Sequence, residues 1–151
     1  MIVSDSTTLI ILSDLKRLDL LSNLFKEVII PQSVYDEITV KQPLVSAPFI
    51  HIRKVDESEL LTTLLSLLDR GESEAIALAV EMEMPLIIDE KKGRKIARNL
   101  HVDIIGLLGI LYLNIQKGFL TQTEAQTFLK DAVSHGYRIS QKLIDEMFSA
   151  L

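Results

Sequence analysis

The chain has 151 residues, 48% of them hydrophobic and 25% charged, which is enough for a single domain with an apolar core. It contains no cysteine, so disulfides, thiolate metal sites and cysteine nucleophiles are excluded. The N-terminus resembles no signal peptide, and no apolar run approaches the roughly 20 residues that span a bilayer. We therefore expect a cytoplasmic protein. The net charge of -5 argues against a protein that coats nucleic acid, yet it permits an enzyme with an acidic, cation-binding centre.

Short apolar runs rich in β-branched residues alternate with helical patterns along the chain. Strands are predicted at residues 2–3, 28–30, 86–88 and 104–105, with a further short strand at 49–52 in an otherwise irregular, proline-containing segment that starts at Gln42. The first four runs are apolar on successive residues, as in strands that are covered on both faces. This alternation predicts an α/β fold with a central parallel sheet flanked by helices, as one domain over residues 1–151.

The helical patterns carry recognisable start and stop signals. Helices are predicted over 6–12, 15–25, 34–40, 57–68, 72–82, 91–100, 107–116 and 121–134, with a last helix that begins near Ser140. Thr121 and Glu124 form a capping box, and Gly71 is expected to end the helix over 57–68. The C-terminal helices, residues 120–151, are expected to pack onto the same domain.

Two aspartates follow predicted strands directly. Asp5 comes after the first strand and Asp89 after the run at 86–88. Ligands of parallel sheets bind outside the carboxyl ends of the strands, so both carboxylates are candidates for a functional site. The alternative is that each aspartate caps the helix that follows it, which would stabilise that helix by about 1 kcal/mol.

Two glutamates extend this candidate site. Glu37 lies on the helix after the second strand, where the alternative is an exposed helix face. Glu74 lies near the start of the helix over 72–82, where the alternative is a favourable interaction with the helix dipole. Glu72 competes with Glu74 and lies about 200° away around that helix, so spacing alone does not choose between them. Carboxylates that converge repel one another unless cations such as Mg²⁺ or Mn²⁺ bind.

Four stretches of the chain together resemble the motifs of the PIN-domain family, most closely its compact prokaryotic, VapC-like members. They are residues 2–7 with Asp5, residues 29–38 with Glu37, residues 71–79 with Glu74, and residues 86–90 with Asp89. The resemblance implies a three-layer PIN-like fold and a metal-binding, catalytic quartet of Asp5, Glu37, Glu74 and Asp89. It also implies that Ser6 or Thr7 supports the metal site. Glu74 and Ile87 depart from the commonest pattern, which has Asp and a hydroxyl residue there.

The same resemblance implies a function. It implies a Mg²⁺- or Mn²⁺-dependent endoribonuclease that cleaves single-stranded RNA with metal-activated water. This enzyme would be a toxin with a small antitoxin protein as partner, and a homodimer. The alternative, from a different class, is a catalytically weak PIN-like module that binds RNA or a protein partner. A receiver-like phosphoacceptor is disfavoured, because Asp5 has no acidic neighbour and Gly106 follows the last strand.

A basic cluster lies immediately after the fourth acid. Its members are Lys91, Lys92, Arg94, Lys95 and Arg98. They are candidates for RNA phosphate contacts beside the metal site, and the alternative is an exposed, solvated helix face. The histidines show no metal-ligand spacing and are interpreted as structural or surface residues.

Overall fold

A computed structural model describes residues 1–41 and 47–151 of the chain. Strands and helices alternate along it in this order: β1 (Ile2–Ser4), α1 (Ser6–Asp14), α2 (Asp19–Ser22), β2 (Val28–Pro31), α3 (Gln32–Lys41), β3 (Ile50–Arg53), α4 (Glu59–Leu65), α5 (Arg70–Met82), β4 (Leu86–Ile87), α6 (Lys91–Asn99), β5 (Ile104–Ile105), α7 (Leu107–Gln116), α8 (Gln122–Ser134) and α9 (Gln141–Ser149). Each predicted strand is present. Residues 42–46 of the predicted irregular segment lie outside the described residues.

The strands form one parallel sheet in the order β3-β2-β1-β4-β5, with β1 at its centre. Val3 of β1 pairs with Ile29 of β2 on one side and with Leu86 of β4 on the other. The chain first builds outward from β1 through β2 to β3, and then returns to the opposite side of β1 for β4. The carboxyl ends of β1 and β4 therefore flank the point where the strand order reverses, which is the usual ligand site of such sheets.

Apolar side chains alternate along the strands and so build a core on each face of the sheet. Ile2 belongs to a cluster that includes residues of α1, α7, α8 and α9, whereas Val3 belongs to a second cluster with residues of α4, α5 and α6. Both side chains are at most 1% exposed. The result is a helix–sheet–helix sandwich, which confirms the three-layer α/β fold expected from the sequence. Within residues 1–41 and 47–151, no helix is long and apolar enough to cross a bilayer.

The bounds of three predicted helices are wrong, and the helix predicted over 57–68 is shortened to α4 (Glu59–Leu65). The helix predicted over 15–25 shrinks to α2, because Lys16 takes the left-handed conformation (φ 59°) and interrupts the pattern. Gly71 does not end a helix but lies in the first turn of α5, whose N-cap is Asp69. The Asp69 carboxylate accepts a hydrogen bond from the Glu72 amide at 2.8 Å. Helix α5 therefore begins two residues earlier than predicted, and Gly71 lies inside it rather than at the end of the preceding helix.

Candidate metal centre

The central strands bring the two predicted aspartates to the same edge of the sheet. Asp5 directly follows β1, and its amide donates a hydrogen bond to the carbonyl of Ile87 in β4 at 2.9 Å. Asp89 lies two residues after the end of β4, the strand next to β1. Because β1 and β4 are parallel and paired, both carboxylates leave the sheet at its carboxyl edge.

Asp5 is buried but its carboxylate is not used as a helix cap. The residue occupies the N-cap position of α1, yet its side chain accepts no capping hydrogen bond. Asp5 is 4% exposed, and its Oδ1 atom finds no hydrogen-bond partner among residues 1–41 and 47–151. A buried oxygen without a partner is costly, so local helix stability does not account for this carboxylate.

The surroundings of Asp5 make its ionised form unfavourable. The pKa of Asp5 is raised to about 7, chiefly by burial and further by the negative charges of Glu72, Glu37 and Asp69, while a hydrogen bond from the Ser6 amide acts in the opposite direction. The pKa of Glu72 is likewise raised to about 7, chiefly by burial and further by the charges of Asp69, Glu90 and Glu37, while a backbone hydrogen bond at Asp69 lowers it. The charges that act on Asp5 and Glu72 are thus negative, and a bound metal ion would relieve their repulsion.

Glu37 and Asp5 approach each other across Gly71. A Cβ atom at Gly71 would lie 3.0 Å from Glu37 Oε2 and 3.7 Å from Asp5 Oδ1. Glycine at this buried position in α5 therefore leaves the space into which both carboxylates reach. Glu37 is half-buried on α3.

Glu72 and Glu74 have different surroundings, although both lie in the first turns of α5. Glu74 is buried, accepts a 2.6 Å hydrogen bond from the Ser33 hydroxyl, and forms an ion pair with Arg70 at 3.2 Å. Its charge is therefore already compensated within the protein. Glu72 is half-buried and raises the pKa of Asp5, so it belongs to the same electrostatic group as Asp5 and Glu37.

Asp89 is fixed in place by neighbouring elements. One carboxylate oxygen accepts a short hydrogen bond from the Thr8 hydroxyl of α1, and the other accepts a 3.0 Å bond from the Leu107 amide. Leu107 is the first residue of α7, whose N-cap is Gly106 and has no side chain to offer. Asp89 thus caps a helix far along the chain, while Glu90 caps the helix that follows directly.

The hydroxyl residues near Asp5 differ in their positions. Ser6 is buried beside Asp5, whereas Thr7 is exposed. Thr8 is 1% exposed and contacts Asp89. The family resemblance implies Ser6 or Thr7 as the residue that supports the metal site, and it does not indicate Thr8. The signal that could have found Thr8 is its position three residues after Asp5, one helical turn along α1 on the same face.

The basic cluster lies on α6 and divides between two sides of that helix. Lys91, Arg94 and Arg98 line a groove that Asp89 also lines. Lys92 lines a separate pocket with Asp69, Glu72 and Glu90, and Lys95 is exposed. Arg94 is tied down, because its guanidinium donates to the Ile88 carbonyl at 2.9 Å.

The donor set suits a hard divalent cation, although its members are not gathered as closely as a bound ion requires. Within residues 1–41 and 47–151, no three Asp, Glu or His side chains are grouped so that they could hold one metal ion. The carboxylate oxygens are nevertheless the ligands that Mg²⁺ and Mn²⁺ prefer. The unpartnered Oδ1 of Asp5 and the space at Gly71 next to Glu37 fit an ion that keeps several of its waters.

The raised pKa of Asp5 predicts a pH-dependent stability of the metal-free protein. The unfolded Asp5 loses its proton near pH 3.8, whereas the folded one keeps it up to about pH 7. The folded state therefore binds more protons across this window, and the contribution of Asp5 to stability falls as pH rises through it. In EDTA, Asp5→Asn should raise the Tm little near pH 4 and by several degrees near pH 8.

Thermal melting of both proteins across this pH range measures the difference directly. Asp131→Asn, an exposed residue of α8, is the matched control and should show no such trend. A Tm difference that stays constant with pH would contradict the assigned burial of Asp5.

Comparison with known proteins agrees with the fold. A PilT N-terminus domain protein from the hyperthermophilic archaeon Sulfolobus solfataricus P2 is similar in structure, with a TM-score of 0.54, 18% sequence identity, and coverage of 92% of this chain and 98% of that one. No curated protein matches the sequence. The PIN-domain family model matches residues 1–151. The chain therefore belongs to the PIN-domain family, whose members are generally nucleases that typically depend on divalent metal ions.

Proposed function

We propose that the protein is a Mg²⁺- or Mn²⁺-dependent endoribonuclease that cleaves single-stranded RNA. The observation that carries this proposal is the buried carboxylate of Asp5, which has an oxygen without a partner at the carboxyl edge of the sheet. Glu37 and Glu72 add negative charge around it. A protein gains nothing in stability from such an arrangement, and it gains a function if a cation binds there.

In this proposal Asp5, Glu37 and Asp89 hold the metal together with one acid of α5. When bound, the ion supplies an activated water and stabilises the charge that develops on the scissile phosphate. Asp5 provides the most rigid ligand, because it follows the central strand and its amide is bonded to Ile87. Thr8 and Leu107 orient Asp89 through hydrogen bonds to its two oxygens.

Charge favours Glu72 over Glu74 as the metal-binding acid of α5. The family resemblance nominates Glu74, which already has Ser33 and Arg70 as partners. A metal ion would have to compete with the Arg70 guanidinium for that carboxylate. Within residues 1–41 and 47–151, Glu72 forms no ion pair, and its charge raises the pKa of Asp5. We therefore infer that Glu72 is the ligand and that Glu74 positions Ser33 and Arg70 at the rim of the site.

Loss of single carboxylates tests the metal centre. Asp5→Asn should abolish Mn²⁺-dependent cleavage of single-stranded RNA and should remove the rise in Tm that Mn²⁺ gives the wild type, because a rigid ligand has been lost. Glu72→Gln should lower the cleavage rate by at least about tenfold and should reduce the rise in Tm that Mn²⁺ gives. Glu74→Gln should have a smaller effect on both the cleavage rate and the rise in Tm. The measurements are cleavage with and without EDTA and melting as a function of Mn²⁺ concentration.

Glu81→Gln removes a carboxylate from the exposed end of the same helix and serves as the matched control. Cleavage that persists in EDTA or in Asp5→Asn would exclude the metal-centred mechanism. A larger loss in Glu74→Gln than in Glu72→Gln would restore Glu74 as the ligand.

Gly71 provides a separate test of the space between Asp5 and Glu37. In Gly71→Ala the new methyl group would stand 3.0 Å from Glu37 Oε2 and would push this carboxylate aside. The helix itself gains up to about 1 kcal/mol, because alanine favours helix over glycine. We expect Mn²⁺ affinity to fall by about tenfold or more while the Tm in EDTA stays the same or rises, as for a single weakened ligand.

Isothermal titration with Mn²⁺ and melting in EDTA separate these two effects. Unchanged Mn²⁺ affinity in Gly71→Ala would mean that Glu37 does not reach the ion from its present position.

A second candidate function is a PIN-like module that binds RNA or a protein partner without efficient cleavage. One observation favours it: among residues 1–41 and 47–151 no three acidic side chains are grouped as a ready metal site. Such a module would bind RNA as well in EDTA as in Mn²⁺. Wild-type protein that binds many RNAs and cleaves none of them would establish this alternative.

We also propose, on the family resemblance, that the protein is a homodimer and the toxin of a toxin–antitoxin pair with a small antitoxin protein. Light scattering during gel filtration should give a mass of about twice the 17.0 kDa of one chain. Expression alone should arrest bacterial growth, and Asp5→Asn should relieve the arrest. A monomeric mass and normal growth would contradict these two proposals and would leave the proposed metal centre unaffected.

A further inference from the structure

A groove between α6, α7 and α9 begins at the proposed metal centre and continues across the surface. It has a volume of about 800 Å³, and Asp89 lies among the residues that line it. Helix α6 contributes Lys91, Arg94 and Arg98, helix α7 contributes Tyr112, and helix α9 contributes Lys142. The C-terminal helix, for which the family resemblance gave no function, therefore forms one wall of a channel that leads to an acid of the site.

The charge of this groove is opposite to that of the whole chain. Four basic side chains line it against only two acidic ones, Asp89 and Glu146, whereas the chain as a whole carries a net charge of -5. A local basic surface on an acidic protein concentrates anions at that surface. The basic groups come from two helices that are far apart in sequence, so a phosphate chain lying between them would be held from both sides.

The groove also has an apolar floor, which phosphate binding alone does not need. Ile104, Ile105 and Leu108 line it together with the half-buried aromatic side chain of Tyr112. An aromatic side chain next to basic groups is the usual means of binding unpaired bases, because the base stacks on the ring while its phosphates meet the cations. A paired duplex hides its base faces and would leave this floor unused.

Gly106 keeps the passage between the groove and Asp89 open. A Cβ atom there would lie 2.5 Å from Asp89 Oδ1 and 2.7 Å from Arg94 Nη1. Glycine thus allows a carboxylate of the site and a guanidinium of the groove to lie against the same point of the backbone. The groove and the proposed metal centre are therefore continuous at this residue.

We propose that this groove binds the unpaired RNA strand next to the scissile phosphate, with a base stacked on Tyr112 and backbone phosphates on Lys142 and Arg98. The inference rests on the proposed ribonuclease function and adds to it the path of the substrate. It makes α9 part of the substrate site, and it separates Lys142 and Tyr112, which bind the strand, from the acids that act on it.

Binding of a short, fluorescently labelled single-stranded RNA in EDTA tests the path without interference from cleavage. Lys142→Gln should weaken binding several-fold and lower the slope of log affinity against log salt by about 0.7, as expected for one lost phosphate contact. Tyr112→Leu keeps an apolar side chain but removes the ring, and should weaken binding by roughly tenfold through lost stacking. Lys130→Gln on α8, outside the groove, is the matched control and should bind like the wild type.

An abasic version of the same oligonucleotide separates stacking from damage to the fold. Tyr112→Leu should bind this probe as tightly as the wild type does, because no base is present to stack, whereas Lys142→Gln should still be impaired. An equal loss of affinity for both probes in Tyr112→Leu would overturn the stacking role. Wild-type affinity in both variants, or failure of the wild type to bind RNA, would overturn the groove as a substrate path. Displacement of the RNA by an acidic peptide but not by unlabelled RNA would do the same.

Hydrolysis of bis(p-nitrophenyl) phosphate with Mn²⁺ distinguishes failure of the groove from failure of the proposed function. This small diester needs the metal centre but not the groove, so Lys142→Gln and Tyr112→Leu should hydrolyse it at the wild-type rate. If the wild type binds RNA through the groove but hydrolyses neither RNA nor the diester, the ribonuclease proposal fails and the binding path stands. If the diester is hydrolysed and both variants bind RNA normally, the groove proposal alone fails.

Discussion

The uncompensated carboxylate of Asp5 at the end of the central strand is the constraint on which the candidate site depends. Asp5 is 4% exposed, and its pKa is raised to about 7 by burial and by neighbouring acids. Little of this side chain is exposed to water, and none of the described residues pairs with its Oδ1 atom. The position of Asp5 is nevertheless fixed by β1 and by the hydrogen bond to Ile87. The sheet therefore keeps the ionised Asp5 carboxylate in an unfavourable environment, which a bound proton or cation would make more favourable.

The other acids near Asp5 fall into two groups, according to whether the protein compensates their charge. Glu74 and Asp89 are compensated within the protein, the first by Ser33 and Arg70 and the second by Thr8 and the Leu107 amide. Glu37 and Glu72 instead add to the charge near Asp5. The compensated acids are held in fixed positions, whereas the uncompensated ones would attract the proposed metal ion. A proposed metal site of this kind needs both, because affinity comes from charge and selectivity from rigid geometry.

The sequence predicted the features that depend on local pattern, and it failed where the answer depends on packing. Apolar runs predict all five strands, and the rule that ligands bind at the carboxyl ends of parallel strands predicts Asp5 and Asp89 at one edge. The choice between Glu72 and Glu74 could not be made, because it depends on Ser33, a hydroxyl on another helix. Gly71 was misassigned as a helix end, since a glycine after a leucine-rich helix is a common stop signal. Its actual role, leaving space for Glu37, requires the approach of α3 to α5.

Net charge is a whole-chain property and does not describe the charge of a local surface. A value of -5 argues against nucleic-acid binding when it is read over all 151 residues. The fold, however, brings Lys142 of α9 into one groove with basic side chains of α6 and with Asp89. Asp89 and Arg94 both lie against Gly106, and neighbouring groups of opposite charge can attract a cation and an anion to adjacent positions, which neither a uniformly acidic nor a uniformly basic surface could do. A proposed metal-dependent nuclease requires this pairing, because its metal and its phosphate carry opposite charges and must meet at one point.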